Sequence, residues 1–180
     1  MHNRIWVPAA FMFEDGIVFL DEPTDVDTND LIAKLSEHKY LRPFVFDNGM
    51  VRRLYFRVPH IQSEMATRAP VALTLAYTQA MAGFMLFVPA PKHILIVGLG
   101  GGSLTKYCYH RLPSARITTV EINPAVIAFG DLFEVPPQDA RHTLVQCNAV
   151  DYIAGMTDRA DVILLDGCDG EGIAPEFCNE

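Results

Sequence analysis

The chain has 180 residues, half of them hydrophobic, with a formal net charge of −8. That is enough apolar material for a real core and excludes a disordered chain. The acidic balance disfavours a nucleic-acid binder, which normally displays a basic patch, and it concentrates cations near clefts.

The opening stretch "MHNRIWVPAAFMFEDG" is interrupted by Pro8 and followed by acids, so no signal peptide is expected. The first sixty residues read as strands. "GIVFL" (16–20) is a short β-rich run, and "DTNDLIAKLSEHKYL" (27–41) reads as a short helix capped by Thr28 or Asn29. In "FVFDNGMVRRLYF" (44–56), apolar runs flank Asn48-Gly49, the dipeptide that favours a tight I′ hairpin.

After Pro59 a helix is expected over about 62–87. Its uncharged part, "VALTLAYTQAMAGFMLFVPA" (71–90), has the length of a membrane span. Its polar Thr74, Tyr77, Thr78 and Gln79 argue instead for a helix packed under a sheet, so no membrane is expected as a partner. Strands and helices then alternate: "HILIVG", "SLTKYCYHRL", "ARITTVEI", "PAVIAFGDLF", "HTLVQCN", "VDYIAGM" and "ADVILLDG". This order predicts an α/β fold, a parallel sheet with helices on both faces. The division is an N-terminal β-rich unit, 1–60, and a Rossmann-like domain, 61–180, short of its last strands. The four cysteines form no CxxC pair, which argues against zinc and disulfides and for reduced thiols in a cytoplasmic protein.

Ligands of such sheets bind at the carboxyl ends of the strands, which are Gly98, Glu121, Asn148 and Asp166. The turn "GLGGGS" after the first of these strands lacks the GxxxxGK[ST] of a phosphate loop. Ser103 replaces the third small residue of a dinucleotide fingerprint, whereas Gly98, Gly100 and Gly102 read as the GxGxG turn of S-adenosylmethionine-dependent folds. Glu121, at the end of the next strand, is suited to accept hydrogen bonds from ribose hydroxyls; a solvated strand end is the other reading. In "DVILLDGCDGEG" Asp166 and Asp169 form a carboxylate pair. An alkylamine is protonated at neutral pH and must lose a proton before it attacks carbon, so such a pair suits amine chemistry. Asp169 is equally suited to capping a turn beside Gly167 and Gly170.

These motifs together resemble the spermidine synthases, the polyamine aminopropyltransferases, and more closely their bacterial spermidine synthase-like branch. The resemblance spans roughly residues 44–178 through "FVFDNG", "IQSEM", "ILIVGLGGGSL", "VEINPAVI", "QCNAVDYI" and "DVILLDGCDG". It implies a methyltransferase-like Rossmann domain behind a small N-terminal β unit. It also implies transfer of an aminopropyl group from decarboxylated S-adenosylmethionine to putrescine or a related amine, without a metal, by a homodimer. By this resemblance the glycine turn contacts the donor, Glu121 holds its ribose and Asn148 meets the adenine amino group. Asp166 is the base, Asp169 binds the acceptor, and Ser63 stands where the family has a donor-contacting Gln. The family's GGGDGG turn has Gly101 here in place of its Asp, and its DxxDP ends in Gly170. The loss of that Asp keeps unmodified S-adenosylmethionine, and so methyl transfer, open as an alternative. The apparent lack of final strands keeps open a non-catalytic adenosyl-ligand binder.

Overall fold

The computed structural model describes residues 4–169 and 172–173, with side chains as far as Gly167. The first part of the chain forms an antiparallel sheet in the order β1-β2-β3-β4-β5. Its strands are β1 (Arg4–Pro8), β2 (Ile17–Asp21), β3 (Phe44–Asp47), β4 (Val51–Arg57) and β5 (His60–Ala66). Helix α1 (Thr28–Ser36) packs Leu31 and Leu35 beside Val18, Leu20, Phe44 and Phe46. Asp27, rather than Thr28 or Asn29, caps this helix: its carboxylate accepts the Asn29 N–H at 2.9 Å. A carboxylate at this position accepts a first-turn N–H and also meets the positive end of the helix dipole.

The β3–β4 hairpin forms, but not with the expected I′ turn. Only Gly49 has a positive φ, 82°, so the bend is centred on Gly49-Met50. Asn48 turns its side chain back instead, accepting from the N–H groups of Met50 (3.0 Å) and Val51 (2.9 Å). That local bond satisfies the turn donors without the left-handed backbone a I′ turn would need at Asn48.

The helix expected over 62–87 is largely replaced. Residues 60–66 are β5, and the helical part is α2 (Ala76–Ala82) continued as a 3₁₀ turn, Gly83–Leu86. Ser63 and Met65 alternate into the interior while β5 pairs with β4, a period that fits a strand and not a helix. Pro70 has no N–H to continue a helix. Thr74 Oγ1 donates to the Glu64 carbonyl at 2.9 Å and ties the connecting segment back onto β5.

The second sheet is parallel, in the order β8-β7-β6-β9, from β6 (His93–Val97), β7 (Arg116–Glu121), β8 (His142–Gln146) and β9 (Val162–Leu165). Every residue of β6 is buried, because this strand has neighbours on both edges and cover on both faces. On one face Ile94, Ile96, Ile117 and Leu164 meet Leu104 and Cys108 of α3 (Ser103–Arg111), with Met81 and Phe84 packed alongside. On the other, Leu95, Val97 and Val120 meet Ala149, Tyr152 and Met156 in and after α5 (Ala149–Gly155). The expected packing of segment 71–90 against the sheet is thus made by α2 and the 3₁₀ turn. Among the described residues no helix is long and apolar enough to cross a membrane.

A third cluster joins the two sheets. Val45, Leu54 and Met65 of the antiparallel sheet pack with Leu99, Val126, Phe129 and Phe133 around α4 (Pro124–Ala128). Arg4 of β1 reaches the same region, donating to the Ala128 carbonyl and pairing with Asp131. A short ribbon, β10 (Cys168–Asp169) with β11 (Gly172–Ile173), follows β9.

Candidate active site at the strand ends

The carboxyl ends of β6, β7, β8 and β9 open into a cavity of about 420 Å³. Its walls include Gly98, Gly100, Glu121, Asn148 and Asp166 from the strand ends, and Ser63 from β5. The chain therefore brings together most of the residues singled out from the sequence. Gly102 is placed otherwise: it is not among the lining residues and lies against Val135. Asp169 pairs through its backbone with Gly172, and its side chain lies outside the described residues.

The glycine turn is shaped by crowding from neighbouring backbone. Gly98 has φ +93°, and a Cβ there would stand 2.4 Å from the Asp166 carbonyl oxygen. The ends of β6 and β9 can converge only because Gly98 has no side chain. Gly102, at φ +65°, starts α3, and a Cβ there would stand 2.5 Å from Val135 Cγ2. Behind the turn the buried Lys106 donates from Nζ to the Phe133 carbonyl at 2.7 Å. Its burial, only partly offset by Glu134, pulls its pKa down to about 8.

Glu121 is buried, and both of its carboxylate oxygens are engaged. Oε2 accepts the Leu99 N–H at 2.9 Å and Oε1 accepts the Asn123 N–H at 2.8 Å. It thereby fixes the glycine turn to the end of β7, while each oxygen keeps a lone pair for another donor. The solvated strand end considered from sequence does not apply to a side chain so enclosed. Asn148 begins α5, and its Oδ1 accepts the Val150 N–H at 2.8 Å. The amide therefore serves first as a helix cap, and its Nδ2 donors are the part left for a ligand.

Asp166 follows β9 and faces the cavity. Burial raises its carboxyl to about 6, and the hydroxyl of Tyr77, 3.5 Å from Oδ2, works weakly in the opposite direction. A carboxylate that changes protonation near neutrality is suited to exchange a proton with an amine. Tyr77 was missed as a site residue from sequence. Its signal was a hydroxyl-bearing aromatic at the start of an uncharged apolar helix, which periodicity alone reads as core. Ser103, Phe56, Ile61 and Ile122 complete much of the wall and were not singled out as site residues from the sequence.

Over 138 residues the chain is 38% identical to the polyamine aminopropyltransferase of Neisseria meningitidis serogroup A, covering 76% of this chain and 52% of that one. The chain belongs to the spermidine synthase, or polyamine aminopropyltransferase, family. The enzyme of the same description from Vibrio vulnificus is 34% identical over 165 residues, covering 90% of this chain and 48% of that one. The chain thus spans about half the length of the curated relatives it matches. No family model matches it. A spermidine synthase in complex with the transition-state analogue AdoDATO superposes with a TM-score of 0.51 at 23% identity, over 73% of this chain and 44% of that one. That likeness shows the fold, an S-adenosylmethionine-dependent methyltransferase-like α/β sheet behind an antiparallel β unit.

Proposed function

We propose that the chain carries the donor site and proton-accepting base of a spermidine synthase-like aminopropyltransferase, which moves an aminopropyl group from decarboxylated S-adenosylmethionine to putrescine or a related amine. The observation that carries this reading is Asp166: a carboxylate raised to about 6, in the same cavity as Glu121 and the glycine turn. The sheet order supports the placement of the donor. From β8 to β9, the strand ends present Asn148, Glu121, the glycine turn and Asp166 in one row. An adenosyl ligand laid along that row puts its adenine by Asn148, its ribose by Glu121 and its sulfonium tail between the turn and Asp166.

The amine nitrogen then attacks the tail carbon bonded to sulfur. The C–S bond breaks with its electron pair moving to sulfur, releasing methylthioadenosine, and the nitrogen's proton passes to Asp166. Holding the two reactants in line supplies much of the rate. The sulfonium is itself the activated leaving group. Asp169 is proposed as a second anchor for the acceptor's ammonium. Methyl transfer from unmodified S-adenosylmethionine is the second reading, favoured by Gly101 in place of an acidic residue. Incubation with each donor and a panel of diamines, followed by mass analysis, separates them. Methylthioadenosine with an aminopropylated amine supports the first, S-adenosylhomocysteine supports the second, and absence of both products in a folded preparation overturns the catalytic reading.

A further inference from the structure

The uncharged segment 71–90 carries four polar side chains, Thr74, Tyr77, Thr78 and Gln79, that set it apart from a membrane span. Three of them are committed to nearby backbone. Thr74 Oγ1 donates to the Glu64 carbonyl at 2.9 Å, Thr78 Oγ1 to that of Leu75 at 2.7 Å and Gln79 Nε2 to that of Leu73 at 2.8 Å. These bonds fix the first turn of α2, with Thr78 buried. A helix rotates about 100° per residue, so the neighbouring Tyr77 projects to another side. It lines the cavity, and its hydroxyl lies 3.5 Å from Asp166 Oδ2.

We propose that Tyr77 is a positioning residue for the base: its hydroxyl donates to Asp166 Oδ2 and leaves Oδ1 to the attacking amine. The proposal rests on the reading of Asp166 as that base. Glu121, the other carboxylate lining the cavity, is oriented by two backbone N–H groups. Among the described residues, Tyr77 is the donor that reaches the Asp166 carboxylate. The remaining titratable group of the lining, Cys147, follows β8 at the far end of the row, and Phe56, Ile61, Gln62 and Ser63 of β4 and β5 carry no charge. At 3.5 Å the contact is long for an O–H···O bond, and catalytic hydrogen bonds of this kind shorten when substrate completes a site. A donor to the ionised form favours that form, so Tyr77 also holds the carboxyl below the value that burial alone would give it.

The test is Y77F, which keeps the ring and removes the donor. In the full chain carrying isotope-labelled aspartate, the carboxyl NMR signal missing from Asp166→Asn identifies Asp166. Its titration midpoint should rise in Y77F by roughly 0.3–1 pH unit, the equivalent of one neutral hydrogen bond. With decarboxylated S-adenosylmethionine and putrescine, the acid limb of kcat/KM should move up by the same amount, and kcat above that limb should fall roughly three- to tenfold. Donor affinity by calorimetry should stay within about twofold. Added to Asp166→Asn, Y77F should cost little further turnover, because it acts through that carboxylate. A tyrosine that only packs α2 would leave both the midpoint and the limb in place. An unmoved midpoint, or unchanged kcat with the limb in place, overturns the proposal. If the unaltered chain turns over no amine, the aminopropyl reading fails, and the titration alone decides whether Tyr77 holds Asp166.

Discussion

Two carboxylates in one cavity are set to different tasks by what surrounds them. Glu121 accepts backbone N–H groups from Leu99 and Asn123, while Asp166 has burial against it and only a distant hydroxyl for it. Replacing Glu121 by Ala should weaken adenosyl-ligand binding by about 1–3 kcal/mol, the scale of a lost charged hydrogen-bond partner. Calorimetry on the folded variant checks this, and unchanged affinity would remove Glu121 from the ligand site. For Asp166 the folded-state pKa, about 6, lies above the ordinary aspartate value. The fold therefore favours its protonated form, and that stability is lost as pH rises through about 6. Asp166→Asn removes the buried charge, so it should melt at a higher temperature than the unaltered protein at pH ~8, with the gap closing toward pH ~4. With Asp166 as the proposed base, activity should have the opposite dependence, because a base acts only when ionised: kcat/KM should fall as pH drops through about 6. Asp166→Asn should lower turnover on the order of 10²–10⁴-fold with little effect on donor binding. Retained full turnover would return Asp166 to a structural role.

At the scale of elements, the convergence of β6 and β9 depends on one glycine. Gly98 combines a positive φ with a Cβ position 2.4 Å from the Asp166 carbonyl oxygen. Gly98→Ala should cost at least ~1–3 kcal/mol of stability, since strain at a left-handed position adds to a backbone clash. It should also displace Asp166, so urea denaturation and turnover are both expected to fall. A variant as stable and active as the parent would show that the two strand ends do not meet so closely. The same elements show how local patterns were read. The "HILIV" strand and the GxGxG turn were legible because an apolar run ending in glycines has few other solutions. Segment 60–87 was not, because "QSEMA" is short enough to satisfy either period, and only pairing with β4 makes it a strand. Asp27 and Asn48 were misread for a related reason: several neighbouring residues can cap or turn, and side-chain bonds of the finished loop choose among them.

At the scale of the molecule, the two sheets share one apolar junction, with Val45, Leu54 and Met65 on one side and Leu99, Phe129 and Phe133 on the other. Phe133 is fully buried there and also receives Lys106 on its carbonyl. Phe133→Ala should cost about 3–5 kcal/mol, the loss for deleting a buried aromatic ring. In the unaltered protein the junction should make unfolding a single transition. The lone tryptophan, Trp6, lies in β1, so its fluorescence reports the antiparallel sheet, while far-UV circular dichroism reports the whole chain. Coincident denaturant curves are expected, separating in Phe133→Ala. Separate curves in the unaltered protein would show that the junction does not couple the sheets.

The order of strands and helices after residue 92, the glycine turn and the carboxylates at the strand ends were determined by local pattern, because apolar period and turn chemistry act over a few residues. What only the tertiary structure decided is which of these meet. Ser63 reaches the glycine turn because β5 closes the antiparallel sheet against it, and Tyr77 reaches Asp166 because α2 docks beside β9's end. Neither approach has a local signal. The first arises from burying Leu99, Phe129 and Phe133 against the first sheet and the second from packing Met81 and Phe84 on the parallel sheet, energies summed over contacts distant in the chain.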